Sequence, residues 1–140
     1  MFGIRGLLAA GAHVCDPAMR KACRWLALRQ RPDGGWGEHF QGCLTGRYVE
    51  HSASQVIQTA WAILALLEAR APYWRVIERG ARFLVGMQLD SGDWPTQDPA
   101  GVFFHTAPLD YTLYRSYFPV WALGLYESCR LNRLGGGEMR

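Results

Sequence analysis

Apolar positions recur at helical spacing through most of this chain, and two stretches show it most clearly. From Val56 to Leu67, the residues Val56, Ala60, Ile63, Leu64 and Leu67 keep the helical period, while Ile57, Trp61 and Ala65 add a second apolar stripe. A helix apolar on two sides is an inner one, wrapped by others. Ser52 or Ser54 is placed to cap it, and it should run to about Arg70, before Pro72. The next stretch, Tyr73 to Met87, turns Val76, Gly80, Phe83, Leu84 and Met87 to one side and Arg75, Glu78, Arg79 and Arg82 to the other. That is the pattern of an outer, amphipathic helix.

Weaker signals complete the series. Phe2 to Ala12 predicts a first helix. Asp16 followed by Pro17 is a helix start, and the helix should reach about Arg29 with Ala18, Ala22, Trp25 and Leu26 on one side. Arg31-Pro32-Asp33-Gly34-Gly35 breaks it. Leu89 to about Pro108 reads as a loop, carrying Gly92, Pro95, Pro99 and Gly101. A last helix is expected from Tyr111 to about Arg130, with Pro119 as a kink or restart. No strand pattern competes, so the expected class is all-α, with residues 1–131 forming the folded part and 132–140 a flexible, Gly-rich tail.

One motif occurs twice within this rhythm. The first copy reads Lys21-Ala22, Trp25-Leu26, Gln30, Gly34 and Trp36; the second reads Arg79-Gly80, Phe83-Leu84, Gln88, Gly92 and Trp94. The spacing is the same in both, over 21–36 and 79–94. An internal repeat marks one supersecondary unit stacked on its neighbours. In each copy Gln follows the last helical turn, where carbonyls lack partners. Its amide is able to donate to those carbonyls and to accept from a neighbouring helix. The flat indole that follows is large enough to cover the amide and exclude water, and Gly between them permits a positive φ. Gln30, Trp36, Gln88 and Trp94 are therefore expected to be structural residues.

Composition adds mainly exclusions. A net charge of +3 over 140 residues, with scattered basic positions, gives no case for nucleic acid. The longest apolar run, Ala60 to Leu67, falls well short of the roughly 18 residues of a membrane span. Arg5 within a short Ala/Gly/Leu stretch gives no secretory signal. Cys15, Cys23, Cys43 and Cys129 lack C-x-x-C spacing, so no metal or redox site is expected, and they are read as reduced, packed thiols.

The repeat resembles the QW repeat of the triterpene cyclases, the oxidosqualene and squalene-hopene cyclases. The linking motifs agree: Asp33-Gly34-Gly35-Trp36-Gly37-Glu38, Gln58-Thr59-Ala60-Trp61-Ala62, Gly92-Asp93-Trp94-Pro95, Gly101-Val102-Phe103, Tyr111 through Tyr114-Arg115, Phe118-Pro119 and Trp121-Ala122-Leu123-Gly124. The resemblance covers about Phe2 to Tyr126 and is closer to the oxidosqualene branch around Gly34 to Glu38 and Tyr48-Val49. It implies part of an α/α barrel of six helical hairpins, an isomerase acting without cofactor on squalene or 2,3-oxidosqualene, and a monotopic enzyme of the endoplasmic reticulum membrane. Its partners would be that apolar polyprenoid, the bilayer and the remainder of the barrel.

Cyclisation moves positive charge from carbon to carbon in a dry cavity, where aromatic faces stabilise it without quenching it. By resemblance, Phe103 and Tyr111 belong to that cavity wall. Tyr114 is open between the wall and a position behind it. From pattern alone all three are ordinary core aromatics. The family's initiating acid lies in Asp-Cys-Thr-Ala-Glu or Asp-x-Asp-Asp, and none of Asp16, Asp33, Asp90, Asp93, Asp98 or Asp110 matches either. No catalytic residue is therefore expected here, and the chain looks like the C-terminal portion of a longer cyclase. Phe104-His105-Thr106-Ala107-Pro108 and Asp110 depart from the family pattern, which leaves the product skeleton open; Asp110 reads as a helix cap and His105 as a loop residue. The alternatives are a prenyltransferase β-subunit, disfavoured by the lack of an Asp-x-Cys pair for zinc, and a non-catalytic helical module that is inert or binds a partner.

Overall fold

The doubly striped segment becomes the helix on which the others rest. In the computed structural model, which describes residues 1–103 and 107–135, α1 covers Phe2–Ala9, α2 Pro17–Leu28, α3 Gln41–Thr45, α4 Val56–Glu68, α5 Trp74–Gly86 and α6 Thr112–Gly135. Val56, Thr59, Ile63, Leu64 and Leu66 of α4 are fully buried, and α4 packs against α1, α2, α5 and α6. Each Leu or Ile sealed there contributes about 1.5–3 kcal/mol relative to exposure.

α5 is the outer amphipathic helix expected. It buries Ile77, Gly80, Ala81 and Leu84 and exposes Arg75, Arg79 and Arg82. Gly80 is there for contact: a Cβ would stand 2.8 Å from Cζ3 of Trp36 and 3.1 Å from Cδ1 of Ile63. α2 starts as its sequence signals, with Pro17 in the first turn and Asp16 Oδ1 accepting from the Ala18 N–H at 2.8 Å.

Several expectations need correction. The chain is mostly helical but not purely so: β1 (Trp36–Glu38) pairs antiparallel with β2 (Glu50–Gln55), and β3 (Gly101–Phe103) with β4 (Ala107–Leu109). Three of these strands are only three residues long, too short to show alternation, and Gly and Pro within them read as loop. Ser52 and Ser54 lie in β2 and do not cap α4. Gln97 does so from across the fold: its Oε1 accepts from the Val56 N–H at 2.6 Å while its Nε2 donates to the Ser54 carbonyl at 3.1 Å.

α2 buries Met19 and Cys23, whereas Trp25, expected inside, is 42% exposed. Of the cysteines only Cys23 is buried; Cys15 and Cys43 are exposed and Cys129 is partly so. α6 runs as one helix through the buried Pro119 and on to Gly135. The expected tail falls on residues 132–135, which close α6, and on 136–140, which lie outside the described residues. Phe104, His105 and Thr106 lie outside them too.

Candidate functional site

α2 and α5 end in turns that carry the same hydrogen bonds. In the first, the Arg31 N–H donates to the Gly35 carbonyl and the Gly34 N–H to Arg31, at 2.9 and 3.0 Å; in the second, Leu89 donates to Asp93 and Gly92 to Leu89, both at 2.8 Å. Gln30 Nε2 donates to the Gly34 carbonyl and Gln88 Nε2 to Gly92, each at 2.8 Å. Trp36 Nε1 donates to Leu26 and Trp94 Nε1 to Leu84, again at 2.8 Å. Gly34 and Gly92 hold φ at +94° and +85°, a region costly to any residue with a Cβ.

The division of labour differs from the one read in the sequence. The indole N–H gives one carbonyl of each helix end a second donor, beside the N–H of Arg29 or Met87, while the Gln amide closes the turn. Gln30 also donates to the Val76 carbonyl in α5 at 2.8 Å, and its own Oε1 is buried without a partner. Arg79 Nη2 donates to the Arg31 and Pro32 carbonyls at 3.0 Å each. The second copy thus braces the turn of the first. Asp33 adds an inner support, its Oδ1 accepting from the Gly35 N–H at 3.0 Å and from Ser54 Oγ at 2.7 Å.

Beside these clamps lies a field of aromatic rings. Tyr114, in the first turn of α6, packs against Tyr111 at 5.1 Å between centroids, Phe118 at 5.1 Å, Tyr117 at 5.7 Å and Trp61 at 6.0 Å. Trp61, on α4, stands edge-to-face with Phe118 at 5.5 Å and with Phe2 at 5.6 Å. Such pairs contribute about 0.5–1.5 kcal/mol beyond the area they bury. The structure therefore brings Tyr111 and Tyr114 into one cluster. Phe103 sits on the neighbouring ribbon, at the end of β3 opposite Ala107, and Phe103 and Tyr111 are each 54% exposed. The Arg5 guanidinium, paired with Glu68 at 3.1 Å, lies 4.9 Å over the Trp121 ring, which stacks on Phe118 at 6.1 Å.

A cleft of about 160 Å³ opens between α2, α4, the β1–β2 ribbon and the segment leading into β3. Trp25, Trp36, Trp61, Phe40 and Tyr48 line it, together with Glu38, His39, Gly101 and Val102. At one side Arg29 stands over the Tyr48 and Trp25 rings, 4.5 and 5.4 Å away. This explains the exposure of Trp25: its ring packs edge-on against Tyr48, 5.2 Å away, instead of entering the core. Burial pushes the Glu38 carboxyl above the ordinary carboxylate range and, with Glu50 nearby, the Tyr48 phenol above its own.

One polar pair escaped the sequence reading. The buried His51 Nε2 lies 2.7 Å from Asp98 Oδ2, while its Nδ1 lies 2.9 Å from the Ala53 carbonyl oxygen, 3.0 Å from the Ala53 nitrogen and 3.1 Å from Gln55 Nε2. The pair joins β2 to the segment before β3, and its two members are too distant in sequence for any local signal. Asp110 is exposed just ahead of α6. Among the described residues, no group of three or more His, Cys, Asp and Glu side chains is placed to hold a metal ion, and no helix is long and apolar enough to cross a membrane.

Repeated helix-to-Trp turns beside an aromatic field define a segment of a helical-repeat protein with an aromatic-lined cavity. Residues 1–128 match the family model of the squalene-hopene cyclase C-terminal domain, and the chain belongs to that family of triterpene cyclase segments. It is 45% identical over 141 residues to lanosterol synthase of Homo sapiens, covering 98% of this chain and 19% of that protein. It is 41% identical over 131 residues to the Mus musculus lanosterol synthase, covering 91% of this chain and 18% of that one. The cycloartenol synthase of Dictyostelium discoideum is 45% identical over 130 residues, 93% of this chain and 18% of its own length. The chain spans about a fifth of the length of the curated relatives it matches.

Proposed function

We propose that this chain supplies part of the cavity wall of a triterpene cyclase that folds 2,3-oxidosqualene and stabilises the cations formed as its rings close. The observation that carries this reading is the continuous ring cluster of Tyr111, Tyr114, Trp61 and Phe118 beside the Gly101-Val102-Phe103 strand. A migrating carbocation is quenched by water or by a strong base. A wall built of ring faces stabilises it by about 0.5–2 kcal/mol per face when desolvated. Phe103 and Tyr111 present half-exposed rings for this purpose, and Tyr114 holds Tyr111 in place while offering its own face. Losing about 2 kcal/mol at one cation slows that step roughly thirtyfold, which is enough to change the product.

Of the clamp residues, Gln30, Gln88 and Trp94 stand outside the lining of the aromatic cleft, and Trp36 both clamps α2 and lines it. Gln30 with Trp36 and Gln88 with Trp94 fix the ends of α2 and α5, and so the position of α4 between them. The proton that starts cyclisation is assigned to an acid outside this chain. Asp16, Asp33, Asp93 and Asp98 are committed to a helix cap, a turn, the Ser116 hydroxyl and Arg115 side chain, and His51 respectively. The remainder of the α/α barrel closes the cavity, and the whole enzyme draws its apolar substrate from the bilayer as a monotopic protein of the endoplasmic reticulum membrane.

The test is direct. The native protein is sized with an antibody to the Tyr48–Gln58 region, and membranes carrying it are incubated with 2,3-oxidosqualene or squalene. The expected result is a protein several times larger than this chain and a cyclised triterpenoid from oxidosqualene by gas chromatography with mass detection. A native protein of this chain's own mass, with neither polyprenoid consumed, would leave the inert or partner-binding reading in its place.

A further inference from the structure

We infer that Trp61 is a substrate-facing, product-determining residue of the same cavity, an inference that rests on the cyclase reading above. Helical periodicity places it in an ordinary core stripe, yet three observations set it apart. First, it stands where the two candidate surfaces meet: it lines the cleft with Gly101 and Val102 of β3, and it packs edge-to-face against Tyr114, Phe118 and Phe2. No other residue of α4 contributes a ring to that junction; the neighbours that share the cleft are Gln58 and Ala62.

Second, its Nε1 is buried and has no hydrogen-bond partner among the described residues. Buried indole N–H groups ordinarily find an acceptor, as those of Trp36 and Trp94 do at 2.8 Å. A phenylalanine or leucine would fill the stripe without leaving a donor unmet. What the indole alone adds is a larger and more electron-rich face, the best of the aromatic side chains for a cation. Third, the same ring field already holds a cation, the Arg5 guanidinium over Trp121.

Size then says what Trp61 meets. Pockets for whole drug-sized ligands run to roughly 300–1,000 Å³, and the cleft encloses about 160 Å³. It takes one end of a polyene and leaves the rest of the chain to cavity walls elsewhere. A cation that forms at that end is held against the Trp61 face. When that face is weakened the cation lives long enough unprotected for a water molecule entering the open cleft to take a proton from the neighbouring carbon, the C–H electron pair forming an alkene before the next ring closes.

The experiment uses the full-length enzyme with 2,3-oxidosqualene, comparing Trp61→Phe, Trp61→Leu and fluorinated tryptophans installed at position 61, with thermal stability measured for each. Trp61→Leu is expected to lower kcat about tenfold, the effect of about 1.4 kcal/mol, and to release incompletely cyclised products. Trp61→Phe, which keeps a smaller and less electron-rich ring, should fall between wild type and Trp61→Leu in product ratio. Fluorines withdraw charge from the ring face at nearly constant shape, so each added fluorine should raise the share of early products without changing stability. That series decides the matter even if Trp61→Leu does not fold. A product ratio and kcat that stay flat across the fluorine series, in an enzyme that cyclises normally, would overturn the assignment of Trp61 alone. A wild-type enzyme that consumes no oxidosqualene would remove the cyclase reading and this inference together.

Discussion

The two turn glycines provide a matched experiment, because the repeat places them in one conformation and the fold places them in different surroundings. Gly34 and Gly92 have nearly the same φ, +94° and +85°, and each accepts the amide of its own Gln at 2.8 Å. An alanine at either position suffers the left-handed backbone, a cost of roughly 1–2 kcal/mol. At Gly92 that is the whole cost, since an added Cβ meets nothing within 4 Å. At Gly34 the same Cβ would stand 2.7 Å from the Arg79 carbonyl oxygen, which belongs to the backbone of α5 and is not free to rotate away. Forcing α5 outward adds about 1–3 kcal/mol, the usual penalty for overpacking.

Gly34→Ala should therefore destabilise by about 2–5 kcal/mol and Gly92→Ala by about 1–2. At about 4 °C per kcal/mol for a chain of this size, the two should separate by several degrees in thermal unfolding followed by tryptophan fluorescence. Equal losses, or a larger loss for Gly92→Ala, would refute the idea that the first turn is pressed against the second helix.

The other expectations are simpler. Trp36→Phe and Trp94→Phe each remove one of two donors to a helix-end carbonyl and should each lower stability by about 0.5–1.5 kcal/mol, read from the same thermal curves; a neutral Trp94→Phe would show that the indole N–H is dispensable. Glu38 titrates above its ordinary 4.5 because burial disfavours its charge, so the stability it lends is whole below the unfolded value and lost as pH rises through the folded one. Glu38→Gln should match wild type in acid and exceed it at neutral pH, and an unchanged slope of stability against pH would count against this. Burial likewise raises the Cys23 thiol, so alkylation followed by peptide mass mapping should label the exposed Cys15 well before Cys23; equal rates would mean that α2 opens freely.

How much of this was legible beforehand depends on the range over which each signal acts. The start of α2 was written in two adjacent residues, Asp16 and Pro17, and the inner position of α4 in its own double stripe. The clamps were legible as a motif because the chain repeats it. The cap of α4 was not, since Gln97 reaches it from the far side of the second repeat while the nearby serines enter a strand. Trp25 misled because α2 turns Met19 and Cys23 to the core, which leaves Trp25 at the cleft against Tyr48 and the Arg29 guanidinium. Phe103, Tyr111 and Tyr114 carried no signal of their own, and only resemblance singled them out. Trp61 was placed in the core by periodicity, which has no means of revealing that an indole N–H finds no acceptor.

The two sides of the molecule are finished to different degrees, and that asymmetry bears on what the chain is for. On the clamp side, one carbonyl at each helix end takes the indole N–H and the first turn is tied to α5 by Gln30 and Arg79. On the ring side, Phe2, Leu113, Tyr117, Val120 and Trp121 remain exposed along α1 and α6, with Tyr111 just ahead of α6, a larger group than the Leu28, Val85 and Leu89 exposed at the clamp ends. A soluble surface does not keep so many large apolar groups together without covering them. Hydrogen bonds of the first kind fix helices whether or not anything is bound. Rings of the second kind gain little from water and much from a dry cavity with a hydrocarbon in it. On the cavity-wall reading proposed above, the polar contacts hold α4 rigid and the exposed aromatic faces are the ones offered to substrate. The substrate-side variants of Trp61 and Tyr114 should therefore alter products more than stability, and the clamp variants should do the reverse.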